Sequence, residues 1–147
     1  MKVQINFKKL DSRAKMPAYG SEFSAGADLY AVTDGSISIA PGETKLIHTY
    51  ISMEIPEGYG GFIFARSGLA SKKGLAPANK VGVIDADYRG EIMVALHNHS
   101  SEMQEISDGE RIAQLVILPF LAAEFIECEE LSDTVRGKGG FGSTGTN

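Results

Sequence analysis

Apolar side chains recur at every second position through much of this chain. Val3, Ile5 and Phe7 alternate with polar neighbours, and Ile37 and Ile39 do the same. A period of two is that of a strand with one face buried. Lys45 to Ile55, Phe62 to Ala65, Ile112 to Phe120 and Ala122 to Leu131 predict further strands, and Ser24 to Ala31 runs from small residues into another. Pro41-Gly42-Glu43, the stretch from Pro56 to Gly61, and Ile106 to Glu110 supply turns, while Lys8 to Phe23 reads as loop. Short strands separated by Gly and Pro turns predict an all-β barrel or sandwich.

One segment breaks this period. Ser67 to Gly74 predicts a short helix: Ser67 can cap it, Lys72 and Lys73 fill its last turn, and Gly74 can end it. From Ser132 the composition changes again. Arg136-Gly137-Lys138-Gly139-Gly140-Phe141-Gly142-Ser143-Thr144-Gly145 has too few apolar groups for a core strand, which divides the chain into a β-domain over 1–131 and a mobile arm over 132–147.

Composition adds bounds rather than chemistry. The chain has 147 residues, enough for one domain, with 43% hydrophobic and 22% charged residues. No apolar run approaches the ~20 residues of a membrane span. The first residues lack the apolar core of a signal peptide, and Cys128 is the lone cysteine, so a cytoplasmic protein is expected. A net charge of −5 disfavours nucleic acid and membrane surfaces as partners, but leaves room for a small anionic ligand at a local basic cluster.

Four places carry candidate chemistry. Val81 to Leu96 has the outline of a β-hairpin with a polar tip, Asp85 to Gly90. Asp85 and Asp87 share a face there if the backbone is extended. Asp85 could orient a water and Tyr88 could pack on a ligand; a solvated tip is the plainer alternative. Asp87, beside Arg89, reads as a structural ion pair or turn residue. Arg66-Ser67-Gly68, at the helix start, combines free N–H groups with a forked donor, which suits phosphate; an ordinary cap with a surface arginine is the alternative. In the arm, Gly137, Gly139 and Gly142 satisfy G-x-G-x-x-G, but no strand–helix unit surrounds them, which excludes a dinucleotide fold. A loop closing over a polyphosphate with Phe141 stacked on a base remains, against a disordered tail. Gln114 lies inside an apolar strand, as a structural amide or a ligand contact. His48, His97 and His99 show no metal-ligand spacing.

These stretches, with Ala25-Gly26-Ala27-Asp28-Leu29, stand in the order and spacing of the five motifs of the trimeric dUTP diphosphatases (dUTPases), a family that the chain resembles from about Phe7 to Gly145. The resemblance implies a jelly-roll-like β-barrel of the β-clip type with one short helix. It also implies a homotrimer that exchanges C-terminal arms and shares its active sites between subunits. It implies hydrolysis of dUTP to dUMP and pyrophosphate, which limits uracil in DNA and supplies dUMP for dTMP synthesis. Mg²⁺ would be held by the substrate triphosphate without a direct protein ligand, Asp28 acting through water. By the same resemblance Asp85 is the catalytic acid that activates water, and Tyr88 packs under the deoxyribose and excludes a 2′-hydroxyl. Arg66, Ser67, Gly68 and Gln114 contact phosphate. Asn79, Gly82, Val83 and Met93 belong to the nucleoside pocket. Arg136 binds the γ-phosphate, Phe141 stacks on uracil, and Gly142, Ser143 and Thr144 close the lid. One departure is visible: Ser71 stands where many relatives have a bulkier apolar residue, which touches helix packing more than chemistry. Two alternatives accompany this reading. A dCTP deaminase of the same fold would need an acid near Ala95, and a phage-type regulatory binding protein usually carries an inserted segment.

Overall fold

Residues 2–140 are described in the computed structural model, and among them the β-period gives twelve strands and one helix. In chain order the strands are β1 (Asn6–Lys9), β2 (Ala18–Tyr19), β3 (Ala27–Tyr30), β4 (Ile37–Ile39), β5 (Thr44–His48), β6 (Ile51–Glu54) and β7 (Tyr59–Phe64). After helix α1 (Ser67–Lys73) come β8 (Leu75–Pro77), β9 (Gly82–Ile84), β10 (Met93–Asn98), β11 (Gln104–Ile106) and β12 (Arg111–Pro119). They form a five-stranded sheet in the order β2-β3-β12-β7-β9, a three-stranded sheet β5-β10-β8, and the pairs β1-β6 and β4-β11. Every pairing is antiparallel. The all-β class with one helix holds. The expected closed barrel does not: the sheets of the described residues stack around a core without closing into one.

The core takes one face from each sheet. Leu29, Ile39, Ile47, Leu75, Leu96, Ile106 and Ile112 are fully buried, and burying each such side chain contributes about 1.5–3 kcal/mol. Strand β10 shows the division: Val94, Leu96 and Asn98 point into the core, while Met93 and Ala95 point the other way. Asn98 is tolerated inside because its amide donates to the carbonyls of Ile39 and Glu102, and its carbonyl accepts from Ser100. At the rim, Arg13 bonds Asp11, Asp34 and the Thr33 carbonyl, and its side-chain hydrogen bond holds the Asp11 carboxyl below the usual range.

Several expectations need correcting. The hairpin at Val81 to Leu96 is not one: β9 pairs with β7, and β10 pairs with β5 and β8, so residues 85–92 cross between two sheets. The single strand expected over Lys45 to Ile55 is two, separated by a corner at Tyr50, whose φ is +50°. The strand expected over Ala122 to Leu131 is absent. That segment lies exposed, with Phe125, Ile126 and Leu131 each at least 80% accessible. Helix α1 ends as expected on Gly74 in the left-handed conformation (φ +65°), where a side chain would also press on Ser100. Ser71 is exposed, so that position asks for no apolar residue. No helix among the described residues is long and apolar enough to cross a membrane.

Candidate active site

The residues singled out from the sequence gather into two groups that lie apart. The first is on the five-stranded sheet. Asp28 on β3, Gln114 on β12 and Phe64 on β7 stand directly opposite one another, so their side chains share a face. A bulge brings Arg111 to the same face. In a regular strand, positions 111 and 114 would point to opposite sides; the register shift between Arg111 and Ala113 turns both Ile112 and Ala113 inward and restores Arg111 to the side of Asp28.

Asp28 is 8% exposed, and a carboxylate so buried is costly unless paired. It is paired twice. Arg66 Nε donates to Oδ1 at 2.7 Å and Arg111 Nη1 donates to Oδ2 at 3.2 Å. Two guanidinium groups against one carboxylate leave the cluster with a formal excess of one positive charge. Both arginines stay partly accessible, with donors to spare. Gln114 donates to the Ala65 carbonyl at 2.9 Å, and its side chain lies so close over Gly26 that a Cβ there would collide with Oε1 and Cδ. Arg66, not Ser67, is the N-cap residue. Its backbone is extended and no side chain caps the helix. Ser67 and Gly68 are exposed and open the helix with unpaired N–H groups. A forked cation, a second arginine, an amide and free backbone donors form a surface suited to a polyanion.

The second group lines a cavity of about 270 Å³ between β9 and the β5-β10-β8 sheet. Asn79, Gly82, Val83, Asp85, Tyr88 and Met93 all border it, with Leu46, Ile63 and Ala95 as apolar wall. The volume is close to the lower bound of about 300 Å³ usual for ligand pockets. Asp85 to Tyr88 form a turn closed by the Tyr88 N–H on the Asp85 carbonyl at 3.1 Å. Strand alternation therefore does not apply, and Asp87 lies outside the lining that contains Asp85. The expected Asp87–Arg89 pair does not form. Arg89 donates to the Ala86 and Tyr88 carbonyls and lies 3.9 Å from Glu54. The Tyr88 hydroxyl donates to the Glu91 carbonyl at 2.9 Å.

The two groups are not brought together within one chain. Gly82 faces Ile63 and Ile84 faces Gly61, so Asp85 lies level with Gly60, at the far end of β7 from Arg66. Six residues of extended chain span roughly 20 Å. Arg136 is exposed and turns back on its own segment, its Nε donating to the Gly139 carbonyl at 2.8 Å. Phe141, Gly142, Ser143 and Thr144 lie outside the described residues.

Among the described residues no three His, Cys, Asp or Glu side chains converge as a metal site. Asp28 already accepts an arginine on each oxygen, so it suits a water-mediated contact better than direct ligation. Two residues went unread in the sequence. Arg111 was hidden because a bulge, not a spacing, brings it to Asp28. Glu91, whose carboxylate binds Tyr50 and His48, directly follows the polar tip, but its partners lie some forty residues away and leave no local signal.

A family model described as dUTPase matches residues 12–145. A deoxyuridine 5'-triphosphate nucleotidohydrolase of Desulfitobacterium hafniense is 51% identical over 148 residues, covering 100% of this chain and 98% of its own. The dUTPase of Staphylococcus bacteriophage 80alpha, solved with dUPNHPP, superposes with a TM-score of 0.87 at 31% identity, covering 99% of this chain and 100% of that one. A mutant dUTPase from phage phi11 of S. aureus, described as revealing coordination of a structural Mg(II) ion, superposes with a TM-score of 0.76 at 27% identity, over 87% of this chain and 98% of its own.

Proposed function

Because the chain belongs to the dUTPase family and hydrolyses dUTP to dUMP and pyrophosphate, we propose that each active site joins the nucleoside cavity of one copy to the arginine cluster of another. The observation that carries this is the separation of the two groups. A water activated at Asp85 cannot reach a phosphate held by Arg66 of the same chain, some 20 Å along the sheet. A second copy removes the difficulty. The exposed apolar segment from Leu121 to Leu131 supports the same reading, since it stays exposed among the described residues. The assembly is a homotrimer in which this segment and the arm over 132–147 cross to neighbouring subunits.

In the assembled site the uracil edge meets Asn79 and the backbone of Gly82 and Val83, with Met93 in the wall. Tyr88 packs under the deoxyribose. Arg66, Ser67, Gly68 and Gln114 hold the phosphates. Asp28 keeps Arg66 and Arg111 oriented and would contact a Mg²⁺ only through water. The triphosphate itself would hold a Mg²⁺, which would supply neutralisation of the phosphate charge. Asp85 accepts a proton as the water oxygen bonds to the α-phosphorus, and the bond from that phosphorus to the bridging oxygen breaks to release pyrophosphate. Arg136 meets the γ-phosphate, Phe141 stacks on uracil, and Gly142, Ser143 and Thr144 complete the lid. The enzyme acts in the cytoplasm, keeping uracil out of DNA and supplying dUMP for dTMP synthesis.

The cavity also argues against deamination. Ala95 presents only a methyl group where a dCTP deaminase would need its acid. Pyrophosphate release measured with Mg²⁺ on dUTP, dCTP, dTTP and UTP tests the reading. Release from dUTP alone is expected, and ammonia from dCTP or comparable turnover of dTTP would overturn the specificity assigned to this cavity.

A further inference from the structure

Tyr88 is 44% exposed at the border of the cavity, its ring lying over Gly90 so closely that a Cβ there would meet the ring carbons. An exposed aromatic on a loop is free to turn about two bonds unless something holds its far end. Here that end is the hydroxyl, which donates to the main-chain carbonyl of Glu91 at 2.9 Å. The position of the ring therefore depends on the position of the Glu91 peptide.

That peptide is clasped to the corner between β5 and β6. The Glu91 carboxylate, only 16% exposed, accepts the Tyr50 N–H at 2.9 Å, and both its oxygens lie 3.0 Å from His48 Nδ1. An ionised carboxylate is acceptor-only, so Nδ1 carries the hydrogen. Next to it the Thr49 hydroxyl donates to the Ile92 carbonyl, and the Ile92 N–H donates to Ile51 at 2.8 Å. Tyr50 has a left-handed backbone (φ +50°), which a residue with a Cβ adopts only when its surroundings hold it there. Its ring stacks on His48, with centroids 4.9 Å apart and planes 18° apart. Glu91 thus restrains a disfavoured corner on one side and carries the anchor of Tyr88 on the other.

We propose that Glu91 is a positioning residue for sugar discrimination: by tying Tyr50 and His48 to the loop over residues 85–91, it fixes the carbonyl that holds Tyr88 and so the height of that ring in the deoxyribose subsite. The proposal rests on the placement of Tyr88 under the sugar. Its readout is the ratio of kcat/KM for dUTP to that for UTP. Glu91→Ala frees the corner and lowers the ratio by about tenfold or more, while Glu91→Gln, which keeps an acceptor for the Tyr50 N–H, stays within about threefold of the wild type. Tyr50→Gly in the Glu91→Ala background, where the left-handed corner no longer needs support, recovers the ratio by about threefold. Should Glu91→Ala not be recovered folded, His48→Ala carries the comparison, with a fall of about threefold. An unchanged ratio in the folded variant, with both substrates losing kcat/KM in parallel, overturns the proposal as a merely structural effect. A wild type that takes UTP as readily as dUTP removes the Tyr88 placement, and the proposal with it; that failure is visible before any variant is made.

Discussion

Asp85→Asn should lower kcat by about 10²–10⁴-fold, the range that a positioned general base contributes. Binding should change little. Asparagine has nearly the shape of aspartate and keeps one oxygen toward the cavity, while the proposed site holds the phosphates elsewhere, at Arg66, Ser67, Gly68 and Gln114. The fold should also be unaffected, because Asp85 is exposed at a turn closed by its carbonyl rather than its carboxylate. Pyrophosphate release gives the first quantity, and calorimetric titration with a non-hydrolysable dUTP analogue gives the second. A variant that turns over near the wild-type rate removes Asp85 from the chemistry. One that loses binding in proportion to rate makes it a binding group instead.

Removal of residues 136–147 should reduce kcat/KM by on the order of 10²-fold or more, since on the proposed reading it takes the γ-phosphate cation, the stacking ring and the lid together. Stability should hardly move. Residues 132–138 of the arm are exposed, and the hydrogen bonds of Arg136, Gly137 and Gly139 stay within the arm itself. Thermal unfolding and light scattering on the truncated chain should therefore match the full one. A truncated protein that unfolds or dissociates would make the arm a structural element, contrary to the lid proposed above.

Local rules read some elements well. Gly74 with Lys72 and Lys73 marked the end of α1, because a left-handed cap and a basic last turn are written in consecutive residues. Strict alternation in Ile37-Ser38-Ile39 and the apolar run after Arg111 marked β4 and β12. Partner choice was not legible in this way. Two strands around a polar turn look like a hairpin, yet β9 and β10 join different sheets, and nothing within residues 81–96 says so. The corner at Tyr50 was hidden for a related reason: a left-handed residue is foreseen at Gly or Asn, and here a tyrosine is held there by Glu91, far away in sequence. The segment from Ala122 to Leu131 has a strand's composition with no strand to pair among the described residues, as a sequence that serves a neighbouring copy would have. At the site, Asp28, Arg66, Asn79, Gly82, Val83, Asp85, Tyr88, Met93 and Gln114 were legible through motif order and occupy the two groups described. Arg111 needed the bulge to be seen.

The shared site is tested most directly by mixing two inactive variants, Asp85→Asn and Arg66→Ala, unfolding them together and refolding at equal amounts. If Asp85 and Arg66 of one site come from different subunits, random assortment leaves about a quarter of the sites with both residues intact, and about a quarter of wild-type activity returns. If both residues of a site come from the same chain, no assembly contains an intact site, and the mixture stays as inactive as its two parents.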